Sequence, residues 1–294
     1  MSALRDLRRR SEAALIRGAL AIFALLPLER ASSAGGAIAR AIGPWLPVSA
    51  TARRNLAAAF PSLAPAAIAA IVRAMWENLG CTAAEYAHLG AFDCYAPDGP
   101  VEVIGAEFID RLRDDGKPGI FFGIHQANWE ILALAATQRG VPLDQVYRAA
   151  NNPYVESLFQ QIRARALRGR HLKKGSAGAR AMIKSLKDGG HLGMLIDQKQ
   201  NDGIAVPFFG RPAMTAPAIA QLALKYDCPV VPARIERIDG ARFRMTVLPP
   251  LAFAKSGDTE ADIVAAMTAI NALIEGWIRD RPAEWLWLHR RWPS

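Results

Sequence analysis

The chain has 294 residues, a hydrophobic fraction of 51% and a formal net charge of +9. This excludes an intrinsically disordered chain and leaves one large domain or two small ones. The positive charge calls for an anionic counterpart: nucleic acid, a membrane surface or an acidic carrier protein. Cys81, Cys94 and Cys228 fit no metal or redox spacing, and so odd and scattered a set argues against a disulfide framework and suits a reducing compartment.

The N-terminus opens with the basic "MSALRDLRRR", followed by "LIRGALAIFALLPLER". No small-residue cleavage site follows, so a signal peptide is not the reading. Arg17 interrupts the apolar run, and Gly18 to Leu28 is too short to span a bilayer comfortably. Counted from Ala13 it just reaches, with Arg17 snorkelling. The reading is a membrane-associated helix near 13–28, its basic flanks on anionic headgroups and its N-terminus on the cytoplasmic side. A packed N-terminal helix is the alternative. The rest of this segment, to about 92, is Ala-, Leu- and Arg-rich with helical spacing of apolar residues. "DCYAPDGP" at 93–100 is a loop by its Pro, Gly and Asp content.

The pattern then changes. "VEVIG", "GIFFGI", "QVYR", "HLGMLID", "PVVPARIERI" and "RFRMTVLPP" read as strands. Between them, "AEFIDRLRDDG", "NWEILALAATQRG", "NPYVESLFQQIRARALRG", "GARAMIKSLKDGG" and "APAIAQLALKYD" read as helices, and "EADIVAAMTAINALIEGWIRD" as a last one. This alternation predicts an α/β fold with a mostly parallel sheet flanked by helices. The chain is therefore expected to divide into an N-terminal helical segment, 1–98, and an α/β core, 99–294, forming one continuous unit.

Ligands of open α/β sheets bind beyond the carboxyl ends of the strands. Three predicted strands end in polar groups: His125, Arg148, and Asp197 followed by Gln198 and Lys199. His125 and Glu130 are five residues apart. They do not share a helical face, and meet only if His125 precedes a helix whose first turn holds Glu130. Asn128 is then the candidate N-cap. The helix dipole favours the carboxylate there, and a carboxylate-oriented imidazole is a general base for a hydroxyl attacking a carbonyl. A core histidine with a surface carboxylate would give the same spacing. Arg148, Arg163 and Arg165 suit phosphate or carboxylate, or form a solvated basic face. Asn151 and Asn152 before Pro153 are site residues or a turn and cap. Phe208, Phe209 and Met214 form an apolar wall for an acyl chain, or ordinary core. Thr215 is read as the N-cap of the next helix, with Pro217 in its first turn. The terminal "EWLWLHRRW" suits a membrane interface. No metal-ligand spacing, Gly-x-Ser-x-Gly elbow or nucleic-acid motif occurs.

"GIHQANWE" resembles the His-x4-Asp/Glu motif of glycerolipid acyltransferases. Together with "NLGCTAAEY", "YRAANNPYVESL", "LIDQKQNDGIAVPFFGRPAMTAPAIAQLA", "PVVPARIER" and "EWLWLHRRW", it resembles the bacterial late acyltransferases of lipid A biosynthesis, the lauroyl/myristoyl transferase family. The resemblance implies a glycerophosphate-acyltransferase-like fold attached through its N-terminal helix to the cytoplasmic face of the inner membrane. It also implies acyl transfer from a thioester, on acyl carrier protein or coenzyme A, to a hydroxyl of a membrane lipid. His125 would be the base and Glu130 its partner. Asn128, Arg148, Asn151, Asn152, Arg163, Asp197, Gln198 and Lys199 would bind substrate. No metal, cofactor or nucleic acid is implied. Ala149-Ala150 stands where the family leads one to expect a bulkier or Pro-containing stretch, a departure that falls on the acceptor pocket. An acyltransferase acting on another glycolipid or glycerolipid, and a non-catalytic lipid-binding homologue, are the competing readings.

Overall fold

A computed structural model describes residues 2–292. Four helices come first: α1 (Ser2–Ala24), α2 (Leu28–Ile42), α3 (Ser49–Ala59) and α4 (Pro65–Glu85). The sheet region follows as β1 (Val101–Ile104), α5 (Ala106–Asp114), β2 (Gly119–Gly123), α6 (Glu130–Gln138), β3 (Leu143–Tyr147), α7 (Pro153–Ala166), β4 (His171–Lys173), α8 (Ser176–Lys187) and β5 (His191–Leu195). The chain ends with β6 (Lys199–Phe208), β7 (Arg211–Thr215), α9 (Ala218–Tyr226), β8 (Val230–Asp239), β9 (Arg242–Val247) and α10 (Thr259–Asp280).

Seven strands form one sheet in the order β1-β9-β8-β2-β5-β3-β4. Neighbours are parallel except β8 and β9, which form an antiparallel hairpin; its turn is Gly240-Ala241, one residue later than the Asp239-Gly240 the residue types suggest, because Asp239 still pairs with Arg242. β2 is central and every residue of it is buried, as expected of a parallel strand covered on both faces. Its side chains alternate between two cores. Ile120 and Phe122 join a cluster with α3, α4, α9, α10 and the tryptophan-rich tail, while Phe121 joins a second with α5 and α6. The α3 and α4 residues Leu56, Met75 and Trp76 lie in the first of these clusters, so the N-terminal helices share the core of the sheet.

α2 and α4 pack at glycine contacts. A Cβ on Gly35 would lie 2.5 Å from the Gly80 carbonyl oxygen and 2.6 Å from the Ala84 Cβ. This close approach lets Ser32 reach Glu85, which is fully buried. Glu85 is neutralised by Arg237 of β8, whose guanidinium also donates to Asn78 and lies 4.6 Å over the Phe243 ring.

The structure corrects several local expectations. "VPFFGRPAMT" is the separate antiparallel hairpin β6–β7, and Thr215 ends β7. Pro217 occupies the N-cap position of α9, with no side-chain cap. Thr215 is kept from a capping role because its hydroxyl donates to the Ala213 carbonyl and accepts from Arg291. Phe208 and Phe209 are core residues: Phe208 packs on Trp285 and Trp292, and Phe209 on Phe60. Trp285, Trp287 and Trp292 are buried, as is Arg291, so the tail is part of the interior rather than a membrane-facing end. Among the described residues only α10 has the length and apolarity of a membrane span, and its Met267, Ile270, Ile274 and Ile278 fill the core.

Candidate active site

After β2 the chain passes Ile124, reaches His125 and turns sharply. Ala127 holds a positive φ of 46°, which non-glycine residues seldom adopt. The surroundings impose it. The Ala127 N–H donates to the Glu284 carbonyl at 3.1 Å, and its carbonyl accepts from the Thr82 hydroxyl at 3.0 Å. Leu286 N–H donates to the His125 carbonyl at 3.0 Å. The tail therefore lies against the His125 loop through an isolated antiparallel bridge between Gln126 and Trp285, and α4 clamps the loop from the other side.

β5 is the neighbour of β2, so the residues following both strands meet. Asp197, fully buried, places its Oδ1 2.8 Å from His125 Nδ1. Its Oδ2 accepts from Trp285 Nε1 at 2.7 Å and from the His125 backbone N–H at 3.2 Å. Burial alone would raise the Asp197 pKa. The charge and hydrogen bond of His125, with His289 and Trp285, outweigh burial and hold the carboxyl well below the usual range. An ionised carboxylate only accepts hydrogen bonds, so Nδ1 carries a proton, and when the ring holds only that proton Nε2 is the acceptor. The Trp129 ring packs edge-on at 5.2 Å, and the Gln198 amide stands 3.4 Å from Nε2.

His125 opens into a cleft of about 290 Å³ lined by Arg148, Asn151, Arg163, Lys174 and Gln198. Val146, Lys174, Leu195 and Gln198 also line an adjoining cavity of about 350 Å³, which continues to Met182, Ile196 and Ala218. Ala179, Met182 and Ala218 in turn border a more apolar groove of about 710 Å³ between α8 and α9, walled by Ile183 and Leu222. The polar cleft and the apolar groove have no wall in common; each borders the cavity between them.

The expected pairing of His125 with Glu130 is not the one formed. Glu130 opens α6 but turns to the other side, where Arg163 donates to both its oxygens, at 2.6 and 3.1 Å, and Tyr86 donates at 3.2 Å. Burial lowers and Glu130 raises the Arg163 pKa; the balance is upward, so the guanidinium stays charged. Asn128 does not cap α6 through its side chain; it is buried and donates to Glu85 at 2.9 Å. Asn152 caps α7, accepting from Tyr154 N–H at 3.0 Å, and its amide donates to Arg9 and Glu12 of α1. Arg165 is exposed, and Lys199 begins β6 opposite Thr215. Arg148, Asn151, Arg163 and Gln198 come together with His125. The support given by Trp285 and Glu284 escapes sequence reasoning, because neither lies near His125 in the chain. Among the described residues no three His, Cys, Asp or Glu side chains assemble as a metal site.

A family model described as bacterial lipid A biosynthesis acyltransferase matches residues 3–294. The chain is 29% identical over 253 residues, 82% of its length and 78% of the relative's, to a lipid A biosynthesis lauroyltransferase of Escherichia coli (strain K12).

Proposed function

Since this chain belongs to the bacterial lipid A biosynthesis acyltransferase family and is an O-acyltransferase, we propose that it moves a fatty acyl chain from acyl carrier protein to a hydroxyl of a lipid A precursor, with His125 as general base. The observation that carries this reading is the Nδ1–Asp197 bond, which leaves Nε2 as the basic atom beside the cleft. As the acceptor oxygen attacks the thioester carbonyl, its proton passes to Nε2. The imidazolium that forms is stabilised by Asp197. Collapse of the tetrahedral intermediate breaks the carbon–sulfur bond, and the proton returns from Nε2 to the departing thiolate. The products are an ester and a free thiol.

Glu130 acts in this scheme through Arg163, holding the guanidinium at the cleft wall. Arg148, Arg163 and Lys174 supply the positive charge that an anionic acceptor headgroup needs. The acyl chain lies in the apolar groove between α8 and α9. An acidic carrier protein as donor suits the net charge of +9.

Attachment to the cytoplasmic face of the inner membrane belongs to the same reading. α1 turns Ala13 inward and half-buries Ile16 and Leu20. Leu4, Leu7, Leu15 and Ile22 are 62–77% exposed and fall within an arc of roughly 80° on the opposite face. With Arg5, Arg8 and Arg17 beside this stripe, α1 is suited to lie in the headgroup region rather than cross the bilayer.

Mass spectrometry of lipid A and total glycolipids from cells with and without the protein, with a His125→Ala copy alongside, tests the proposal. Loss of one acyl chain from lipid A, not restored by the variant, is expected. Unchanged lipid A with an altered glycerolipid or other glycolipid would move the acceptor elsewhere, and restoration by His125→Ala would remove the base.

A further inference from the structure

The junction between α2 and α3, Gly43-Pro44-Trp45-Leu46-Pro47-Val48, displays apolar side chains to the outside. Trp45 is 83% exposed, while the other six tryptophans are buried or half-buried. Ile38, Ile42, Leu46 and Val48 around it are 39–56% exposed. Ile38 and Ile42 are one turn apart on α2 and so continue the patch along one helix face.

This display is built rather than loose. Gly43 lies flat against the Trp76 indole, leaving no room for a Cβ. The Ser49 hydroxyl donates to the Gly43 carbonyl at 2.7 Å and accepts from Trp76 Nε1 at 2.8 Å. Arg53 donates to the Pro44 carbonyl at 2.8 Å. Two prolines stiffen the remainder. The fold thus holds a large indole away from its own core.

The sequence around the tip carries charge of one sign. From residue 30 to residue 76 the sequence has five arginines and no Asp or Glu. Arg40 is neutralised by Glu77, but Arg53 and Arg54 are exposed beside the tip. An exposed tryptophan with aliphatic neighbours, and arginines that form no ion pair among the described residues, matches the boundary of an anionic bilayer, where the indole sits at headgroup level and guanidinium groups meet phosphates.

We propose that the 42–48 tip is a second membrane-contact element, separate from α1, in which Trp45 inserts into the interface of an anionic bilayer and Arg53 and Arg54 bind lipid phosphates. α1 and the tip would then fix the orientation of the enzyme on the membrane at two points, which one amphipathic helix does not do.

The test uses the full chain and vesicles of phosphatidylethanolamine and phosphatidylglycerol, some carrying brominated acyl chains. Tryptophan quenching by the brominated lipid should fall in Trp45→Phe relative to the wild type. Trp45→Ser should weaken vesicle binding about tenfold in a Leu15→Ser/Ile22→Ser background. Arg53→Ser/Arg54→Ser should weaken binding to these vesicles and not to phosphatidylcholine ones. If the protein binds vesicles but Trp45→Phe leaves the quenching unchanged, the tip stays off the membrane and the proposal fails while α1 attachment stands. If Trp45→Ser converts a dimer to a monomer without lipid, the tip is a self-association surface and the proposal is overturned.

Discussion

His125 Nδ1 and Asp197 Oδ1 stand 2.8 Å apart although 72 residues separate them in the chain. The parallel pairing of β2 with β5 makes the contact, since each residue follows the carboxyl end of its strand. Trp285 and the His125 backbone hold the second carboxylate oxygen, so the acid is fixed in place before it fixes the imidazole. Asp197→Asn keeps the shape but offers an amide that can favour the wrong tautomer. It should lower kcat by about 10³–10⁴ with little change in KM, read from initial rates of thioester consumption.

Glu130 and Arg163 form the second charged pair of the site, with 5% and 18% side-chain exposure. If Glu130 holds Arg163 for an anionic acceptor, Glu130→Gln and Arg163→Met should both raise the acceptor KM by about tenfold or more. The double variant should be little worse than either single one. The pH profile of kcat should keep its shape in Glu130→Gln, because the partner of the imidazole remains. Acceptor titrations at fixed donor, repeated across pH, check both statements.

The same two pairs show what could be read from the sequence. The parallel sheet was legible because strand and helix periods alternate cleanly, and the convergence of His125, Arg148 and Asp197 at strand ends follows from it. Which carboxylate meets His125 was not legible. Glu130 is close in sequence and at a helix start, whereas the Asp197 contact depends on strand order, which periodicity does not give. The tail misled for a related reason. Tryptophan and arginine together fit a membrane edge, yet Arg291 finds the Met214 carbonyl, the Thr215 hydroxyl and the Phe208 ring inside the protein. Burial pushes its pKa down to about 10, still far above neutrality. Thr215 likewise reads as a cap by residue type, and only the β6–β7 hairpin explains why its hydroxyl is engaged elsewhere.

His289 gives the fold a pH dependence. Both its ring nitrogens are buried without a hydrogen-bond partner among the described residues. Burial lowers its pKa to about 4 in the folded chain, against an ordinary value of about 6.5. The unfolded chain therefore takes up this proton first. Stability from this group is complete above about pH 6.5 and falls by up to about 3 kcal/mol as pH drops to about 4. Denaturant melts between pH 7 and pH 4 should show this loss, and His289→Phe should flatten the slope. An equally steep loss in the variant would assign the acid sensitivity to other groups.

The α2–α4 contact sets a size limit. The space at Gly35 is filled by the Gly80 carbonyl and Ala84, backbone and a short side chain that cannot rotate away. Gly35→Val should cost about 2–3 kcal/mol by overpacking and lower the midpoint of thermal unfolding. Ser32 would be displaced from Glu85 with it, weakening the clamp on Asn128. Gly18, around which a Cβ meets nothing, is the control: Gly18→Ala should leave the melting midpoint unchanged or slightly raised.

The central claim is that His125 acts as a base supported by Asp197. Single-turnover acyl transfer from acyl carrier protein to a lipid A precursor, at saturating acceptor, tests it most directly in His125→Ala, Asp197→Asn, their double variant and Glu130→Gln. The first three should share one low rate, and Glu130→Gln should run close to the wild type. A Glu130→Gln rate as low as that of His125→Ala, with Asp197→Asn near the wild type, would contradict it.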